Sequence, residues 1–251
     1  MKIVEFKIAP NLNLEMVEIP AGSFLMGSDD SETEKRENET PQHEVSLNSF
    51  YLGRFSVTQA EWLAVMNDLP ETSEEFRGAR LPVVNVWLEK ALEFCAKLSA
   101  LTGEQFRLPS EAEWEYACRA GSRTPFSFGE TLTTDLANFN GELPFRETPK
   151  GEFRRRPTSV GAFPPNAFGI HDMHGNVWEW CADVWHENYA GAPTDGSAWI
   201  SQGDGSYCVQ RGGSWLDRAS NCRSAFRVGD IAHNNENIVG LRVCFTKNSI
   251  E

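Results

Sequence analysis

The sequence predicts a single α+β domain, and three observations support that prediction. Its 251 residues are 40% apolar and include 8 Trp and 16 Phe, enough to fill one sizeable core. Strand-like segments come first, helical segments follow and short strand-like segments return, without the alternating rhythm of βαβ units. Neither an internal repeat nor a linker interrupts the chain, so we expect one domain over residues 1–251, much of it irregular.

The first part of the chain is predicted to form strands and turns. Residues 14–27 alternate loosely and are cut by a proline and by glycines, as a hairpin would be. The acidic segment 28–42 has almost no apolar residue, which predicts an exposed loop. Residues 43–57 then return to strand-like alternation.

Three helices are predicted next, each marked by residues that cap or terminate a helix. Thr58 and Glu61 have the spacing of a capping box, as do Ser110 and Glu113, and each pair precedes a helical segment. The helix between these two is expected to stop at Gly103. One face of that middle helix is predicted to be apolar and is formed by Leu88, Ala91, Leu92, Cys95 and Leu98.

Residues 122–175 are rich in Gly, Pro, Asn and Thr and have no sustained period. So long an irregular stretch inside a compact domain must be held by something other than secondary structure. Bound metal is one candidate, and aromatic plugs are another: Phe126, Phe128, Phe163 and Phe168. The last third returns to short alternating strands.

Net charge and hydropathy exclude several classes of partner. A formal net charge of −13 argues against binding to nucleic acid or to anionic lipid. The apolar stretches are too short to span a bilayer, so no membrane insertion is expected. Residues 1–20 lack the features of a secretory signal, which predicts a cytoplasmic location.

The cysteines lie far apart and include no C-x-x-C pair, the spacing on which zinc and redox motifs depend. Reduced thiols that serve as small core residues are therefore expected at Cys95, Cys118, Cys181, Cys208, Cys222 and Cys244. His171 and His174 have no third ligand at regular spacing, which disfavours zinc. The tryptophans of one strand-like segment are interpreted as core residues on one face rather than as a sugar platform: Trp178, Trp180 and Trp185.

Several blocks, in order, carry a family resemblance: "MVEIPAGSFLMGS", "FRLPSEAEWEYACRAG", "GNVWEWCADVW", "RGGSW" and "GLRVCF". Together they resemble the formylglycine-generating enzyme (sulfatase-modifying factor) family. The resemblance implies an elaborated C-type-lectin-like domain with little regular structure, which agrees with the long irregular middle of the chain.

One departure from that family concerns catalysis. The family's oxidases hold copper with two cysteines a few residues apart; here the second falls on Cys222 and the first on Asp217. One thiolate and one carboxylate make a poor site for monovalent copper. A lone thiol also lacks the neighbouring nucleophile needed for disulfide exchange with a substrate. We therefore expect no copper, no enzymatic activity and a structural role for Cys222.

The C-terminal blocks also resemble variable proteins of diversity-generating retroelements, whose asparagine codons are diversified at adenines while scaffold letters stay fixed. The resemblance implies a variable region over about 211–245 and a ligand, expected to be a protein, bound by loop residues on a rigid scaffold. The residues that the resemblance assigns to the fixed scaffold include Arg211, Arg223, Arg227 and Arg242. The candidate binding residues are Trp215, Leu216, Asp217, Arg218, Val228, Gly229, Asp230, Ile231, His233, Asn234, Glu236, Asn237 and Ile238.

Two other functions remain open on the sequence. The first is a copper-dependent thiol oxidase that acts through Cys222. The second is an undiversified adaptor domain that works by protein contact alone.

The family resemblance also implies structural calcium. One site would use oxygens of Asp172, Gly175, Val177 and Glu179, two of them backbone carbonyls, as a hard cation prefers. The alternative is that Asp172 caps a turn while Glu179 pairs with an arginine. A second site would use Asn138 and the carbonyl of Phe139, but its expected aspartate falls near Gly151 and Glu152.

Overall fold

The structure is a computed structural model that describes residues 2–201, 203–231 and 237–247, and in them helices and strands are mixed as the α+β prediction requires. The helices are α1 Gln59–Met66, α2 Leu88–Thr102 and α3 Glu111–Arg119. The strands are β1 Ile3–Ala9, β2 Leu12–Ile19, β3 Gly22–Met26, β4 His43–Leu47, β5 Phe50–Gly53, β6 Trp178–Trp185, β7 Asp204–Arg211, β8 Arg227–Ile231, β9 Val239–Gly240 and β10 Cys244–Phe245.

The strands form three sheets, ordered β1-β2-β5-β10, β3-β4 and β8-β7-β6-β9. The hairpin expected over residues 14–27 is wrong, because β2 pairs with β1 and β5 whereas β3 pairs with β4. The chain leaves one sheet for another at Pro20, which has no N–H to offer a ladder. Val17 of β2 and Met26 of β3 still belong to one apolar cluster.

Both predicted capping boxes are present, at the first residues of α1 and α3. The middle helix ends at Gly103, whose φ of +82° is the left-handed conformation that glycine adopts without strain. Leu92 was expected on the buried face but is 50% exposed, while Phe94 is fully buried. A helix turns about 100° per residue, so the stripe through Ala91 and Leu98 takes in residue 94 and leaves residue 92 outside.

The acidic segment 28–42 is a loop, but its exposure was predicted wrongly in part. Glu39 is 0% exposed, and Glu32 is largely shielded. Both carboxylates turn inward because they pair with the buried guanidinium of Arg223, and a buried charge needs such a partner.

No helix or strand lies between α3 and β6, as the composition of residues 122–175 predicted. A separate small core holds this region, and it includes Phe126, Phe139, Phe145 and Cys222. Of the four candidate aromatic plugs, Phe126 is fully buried. Across the part of the chain that the structure describes, no helix is long and apolar enough to cross a membrane.

Candidate functional site

The thiol of Cys222 lies in the small core, with no exposed surface. It is the last residue of a short 3-10 turn, and its Sγ is 3.7 Å from the carbonyl oxygen of Arg218, to which it donates. A Cβ on Gly213 would come within 2.6 Å of that sulfur, so the chain is closely packed around it. Burial raises the pKa of the Cys222 thiol well above its usual value, and the neighbouring charge of Asp217 acts in the same direction. The sulfur is therefore a protonated, inaccessible core atom.

Asp217 occupies the position of the family's first cysteine. Both oxygens of its carboxylate accept hydrogen bonds from donors of its own chain. Its Oδ2 accepts hydrogen bonds from the backbone N–H of Ser214 at 3.1 Å, from the Ser214 hydroxyl and from Nε1 of Trp178 at 2.9 Å. Its Oδ1 accepts from Nδ2 of Asn221 at 2.9 Å. Asp217 therefore fastens the loop after β7 to the start of β6.

His174 holds the backbone of Cys222 in place, a role that the sequence did not reveal. The backbone N–H of Ser127 donates to Nε2 of His174 at 3.0 Å, so Nδ1 carries the proton and donates to the Cys222 carbonyl at 2.8 Å. Burial lowers the pKa of His174 to about 4, which keeps the ring neutral. Cys118 lies 3.8 Å from Nε2. Among the described residues no group of three or more His, Cys, Asp or Glu side chains is placed to hold a metal ion.

All six cysteines are buried and free, as the spacing predicted. Burial raises the thiol pKa of each, to about 12 for Cys95 and Cys118. A thiol attacks as its thiolate, so none of these side chains is poised as a nucleophile.

Some candidate binding residues lie near the start of β6. Leu216 is 49% exposed, and Arg218 is exposed beside it. Trp215 is 9% exposed, and its Nε1 donates to the carbonyl of Asn237 at 3.2 Å. Asn237 and Ile238 are half-buried. The structure thus brings the segments around residues 216 and 237 together.

The β8 candidates lie farther along the sheet. Val228 packs against the main core, while Ile231 is 50% exposed and pairs with Tyr207 across the ladder. Asp230 is half-buried and accepts from the side chain of Gln210 at 3.1 Å. Strand β8 is about 13 Å long from residue 227 to residue 231, because each of its four steps spans about 3.3 Å. Ile231 therefore lies at the far end of the strand from Arg227.

Gly229 is packed against an aromatic ring, because a Cβ there would come within 2.5 Å of Cδ2 of Trp185. The backbone of β8 therefore lies directly on the indole, and a larger residue has no room. The remaining candidates, His233, Asn234 and Glu236, lie outside the described residues.

The four scaffold arginines are each 0% exposed and each paired with carboxylate. Because an unpaired buried charge is costly, these pairs fix β7 and β8 relative to α3, the acidic loop relative to Arg223, and Arg242 relative to β6. The pairs are Arg211 with Glu111 and Glu115, Arg227 with Glu111, Arg223 with Glu32 and Glu39, and Arg242 with Glu179.

The first expected calcium site does not fit a cation, because Glu179 already has a counter-ion. Its carboxylate accepts from the guanidinium of Arg242 at 2.9 Å, from the Ser56 hydroxyl at 2.7 Å and from Nε1 of Trp114 at 2.7 Å. Both oxygens are filled by donors, and the arginine supplies the positive charge that calcium would bring. The arginine-paired alternative describes Glu179 correctly.

Asp172, expected in the same site, has a different environment. One carboxylate oxygen accepts from the backbone N–H of Gly161 at 2.7 Å, and the other is buried without a hydrogen-bond partner. Burial raises the pKa of Asp172 to about 6. The carbonyl of Gly175 accepts from the N–H of Val177 at 3.0 Å, as in a tight turn.

The second expected calcium site keeps one free oxygen. Asn138 is buried, and its Nδ2 donates to the Arg156 carbonyl at 2.9 Å and to the Asn176 side chain at 3.0 Å. Its Oδ1 is buried without a partner, next to the carbonyl of Phe139 in the chain. An amide oxygen with an unused lone pair suits a hard cation. Glu152 instead pairs with Arg154, at 3.1 Å.

The alternating tryptophans do not share one face. Trp178 and Trp180 belong to the main core, but Trp185 is half-buried and packs on the opposite side of β6. Its odd separation from Trp180 explains the difference, because successive residues of a strand point to opposite faces.

Comparisons with known proteins agree with this architecture. The family described as sulfatase-modifying factor enzyme 1-like domain matches residues 5–247. The formylglycine-generating enzyme of Bos taurus is 27% identical, over 93% of this chain and 75% of that protein. PvdO from Pseudomonas aeruginosa is 35% identical, with a TM-score of 0.85 over 98% of this chain and 100% of that chain.

A further solved structure, Treponema denticola variable protein 1, is 24% identical, with a TM-score of 0.77 over 98% of this chain and 99% of that chain. At this identity the likeness shows a shared fold alone. The fold is C-type-lectin-like, as the resemblance implied. The chain belongs to the sulfatase-modifying factor enzyme 1-like domain family.

Proposed function

We propose that this chain is a non-catalytic member of its family that binds a protein ligand through the loop after β7 and the end of β8, on a rigid lectin-like scaffold. The observation that carries the proposal is the state of the two positions where the family's oxidases hold copper. Asp217 is engaged by donors from its own chain, and Cys222 has no exposed surface. Neither side chain is available to a metal ion or to a substrate thiol.

The proposed recognition surface consists of Leu216, Arg218 and Ile231, the exposed members of the candidate set that lie on described residues. Apolar side chains with a neighbouring arginine are suited to anchor a partner.

A binding experiment and a genomic experiment test this proposal together. DNA encoding residues 211–245 is compared with its flanking locus. A near-identical copy that differs only at adenines, beside a reverse transcriptase gene, is expected.

In the binding experiment, a partner captured by the wild-type protein is titrated against Leu216→Ala/Arg218→Ala/Ile231→Ala, with exposed Glu142→Gln as the matched control. Binding that survives the triple substitution would favour an undiversified adaptor with a different surface.

The 27% identity to a formylglycine-generating enzyme favours a second candidate, a copper-dependent thiol oxidase that acts through Cys222. That function predicts stoichiometric uptake of monovalent copper, abolished by Cys222→Ser, and oxygen consumption with a thiol peptide. We expect neither from the wild-type protein. Stoichiometric copper that depends on Cys222, with turnover of the peptide, would establish the oxidase and refute the binding proposal.

We also propose one structural calcium ion at Asn138 and the carbonyl of Phe139, because the amide oxygen of Asn138 is buried without a partner. Calcium is expected to raise the unfolding temperature of the chelator-treated wild-type protein but not that of Asn138→Ala. Exposed Asn188→Ala is the control that should respond as the wild type does. Equal calcium responses in all three proteins would remove the site.

A further inference from the structure

An open cleft of about 620 Å³ lies beside the end of β6 and the exposed part of β7. Three aromatic side chains line it: Trp185, Trp199 and Tyr207. Tyr207 is 38% exposed, and both tryptophans are half-buried. A volume of this size suits a small ligand, and aromatic side chains are common in the linings of such sites.

The aromatic walls are held rigidly before any ligand arrives. The imidazole of His186 stacks on Trp199 with centroids 3.5 Å apart and planes 7° from parallel. That imidazole is held by the carbonyl oxygen of Ser201, which accepts a hydrogen bond from Nε2 at 2.8 Å. Since the walls need no rearrangement, little conformational entropy is lost on binding.

Gly229 forms part of the floor of the cleft. Its backbone lies against Trp185, where a Cβ would come within 2.5 Å of the ring. The guanidinium of Arg227 also lies 4.4 Å from the centroid of that ring. Its charge is balanced by a two-point pair with Glu111 at 2.7 and 2.8 Å, so it adds little positive potential to the cleft.

The remaining charges around the cleft are negative. Glu187 is exposed at the rim, and its carboxylate makes no ion pair or hydrogen bond within the part of the chain described. Asp183 lies beneath the wall and accepts from the backbone N–H of Trp199 at 2.8 Å, but burial raises its pKa to about 7, so it adds only part of a negative charge at neutral pH. The net charge of the whole chain, −13, adds a long-range attraction for cations.

We propose that this cleft binds the cationic head of a small quaternary ammonium compound. Aromatic faces attract a cation through the quadrupole of the ring, and a quaternary ammonium needs no hydrogen-bond acceptors. This inference rests on the proposed function in one respect: the chain binds its ligand without transforming it.

The test uses choline and its uncharged isostere 3,3-dimethylbutan-1-ol, titrated into the wild-type protein and followed by tryptophan fluorescence and calorimetry. The two probes share shape and hydroxyl and differ in charge, so their comparison isolates the cation–aromatic attraction. Choline is expected to bind at one site, and the isostere at least tenfold more weakly. Equal affinities for the two probes, or saturation by neither, would overturn the proposal.

Two surface substitutions locate the site without disturbing the core. Tyr207→Leu removes one aromatic wall and Glu187→Gln removes the rim charge; each is expected to weaken choline binding at least threefold. Exposed Glu142→Gln is the matched control for charge and should leave the affinity unchanged. Choline bound equally by all four proteins would place the ammonium elsewhere and refute the cleft. Leu216→Ala/Arg218→Ala leaves Ile231 beside Tyr207 intact and should not change choline binding, so either proposal can fail alone.

Discussion

Asp217→Ala distinguishes a structural aspartate from a freely variable one. The substitution removes the acceptor for Nε1 of Trp178 and for both donors of Ser214. Trp178 is 5% exposed and Ser214 is 0% exposed, so water cannot replace the lost bonds in the native packing. The donor of Asn221 is nearer to solvent and contributes less.

A buried polar group left without a partner costs about 1–3 kcal/mol. With Trp178 and Ser214 both affected, the free energy of unfolding should fall by about 2–6 kcal/mol for Asp217→Ala. For a chain of this length the unfolding temperature changes by about 2–4 °C per kcal/mol, so a fall of about 8–16 °C is expected at the middle of that range. Asp217→Asn keeps one acceptor oxygen and should recover part of the loss.

Urea and thermal unfolding, followed by tryptophan fluorescence, measure the effect. Arg218→Ala is the adjacent control, because its side chain is exposed and its loss should stay within about 0.5 kcal/mol. If Asp217→Ala and the control have the same free energy of unfolding, the hydrogen bonds of Asp217 do not stabilise the fold. The aspartate would then be a position that can vary without cost.

Three further outcomes are expected. Cys222 should resist alkylation in the native protein and react fully in urea, as peptide mass spectrometry would show; rapid native modification would contradict its burial. Gly229→Ala should lower the free energy of unfolding by about 1–3 kcal/mol, since the new Cβ overlaps Trp185; unchanged urea midpoints would show that the ring can move. Burial first, and then the charge of Glu111, raise the pKa of Asp183 to about 7. Its stabilising contribution is therefore full below its unfolded pKa of 3.8 and is lost as the pH rises through about 7, so wild-type stability should decline more between pH 5 and pH 8 than that of Asp183→Asn; equal declines would assign the titration elsewhere.

The sequence predicted correctly those structural features that depend only on residues close together in the chain. The capping boxes at Thr58 and Ser110 need only residues three positions apart, and both are present. Leu92 was misplaced because a stripe of apolar letters does not say which edge of the helix meets the core. The pairing of β2 and β3 failed for a similar reason, since adjacent strands need not share a sheet.

The candidate site was predictable only in part. Sequence comparison identified Asp217 as the departure from the catalytic pair, but not that Trp178, 39 residues away, supplies its hydrogen bond. The pairing of Arg223 with Glu39 spans 184 residues, a distance over which composition carries no information. Gly229 looked variable because its packing against Trp185 depends on the register of β8.

The buried guanidinium–carboxylate pairs have a practical consequence for protein engineering. Arg211, Arg223, Arg227 and Arg242 lock the framework through planar two-pronged contacts that lysine cannot reproduce. A combinatorial library should therefore keep these four arginines constant and randomise Leu216, Arg218 and Ile231, whose side chains are exposed. Such a library would sample new specificities on a backbone whose melting behaviour scarcely changes from clone to clone.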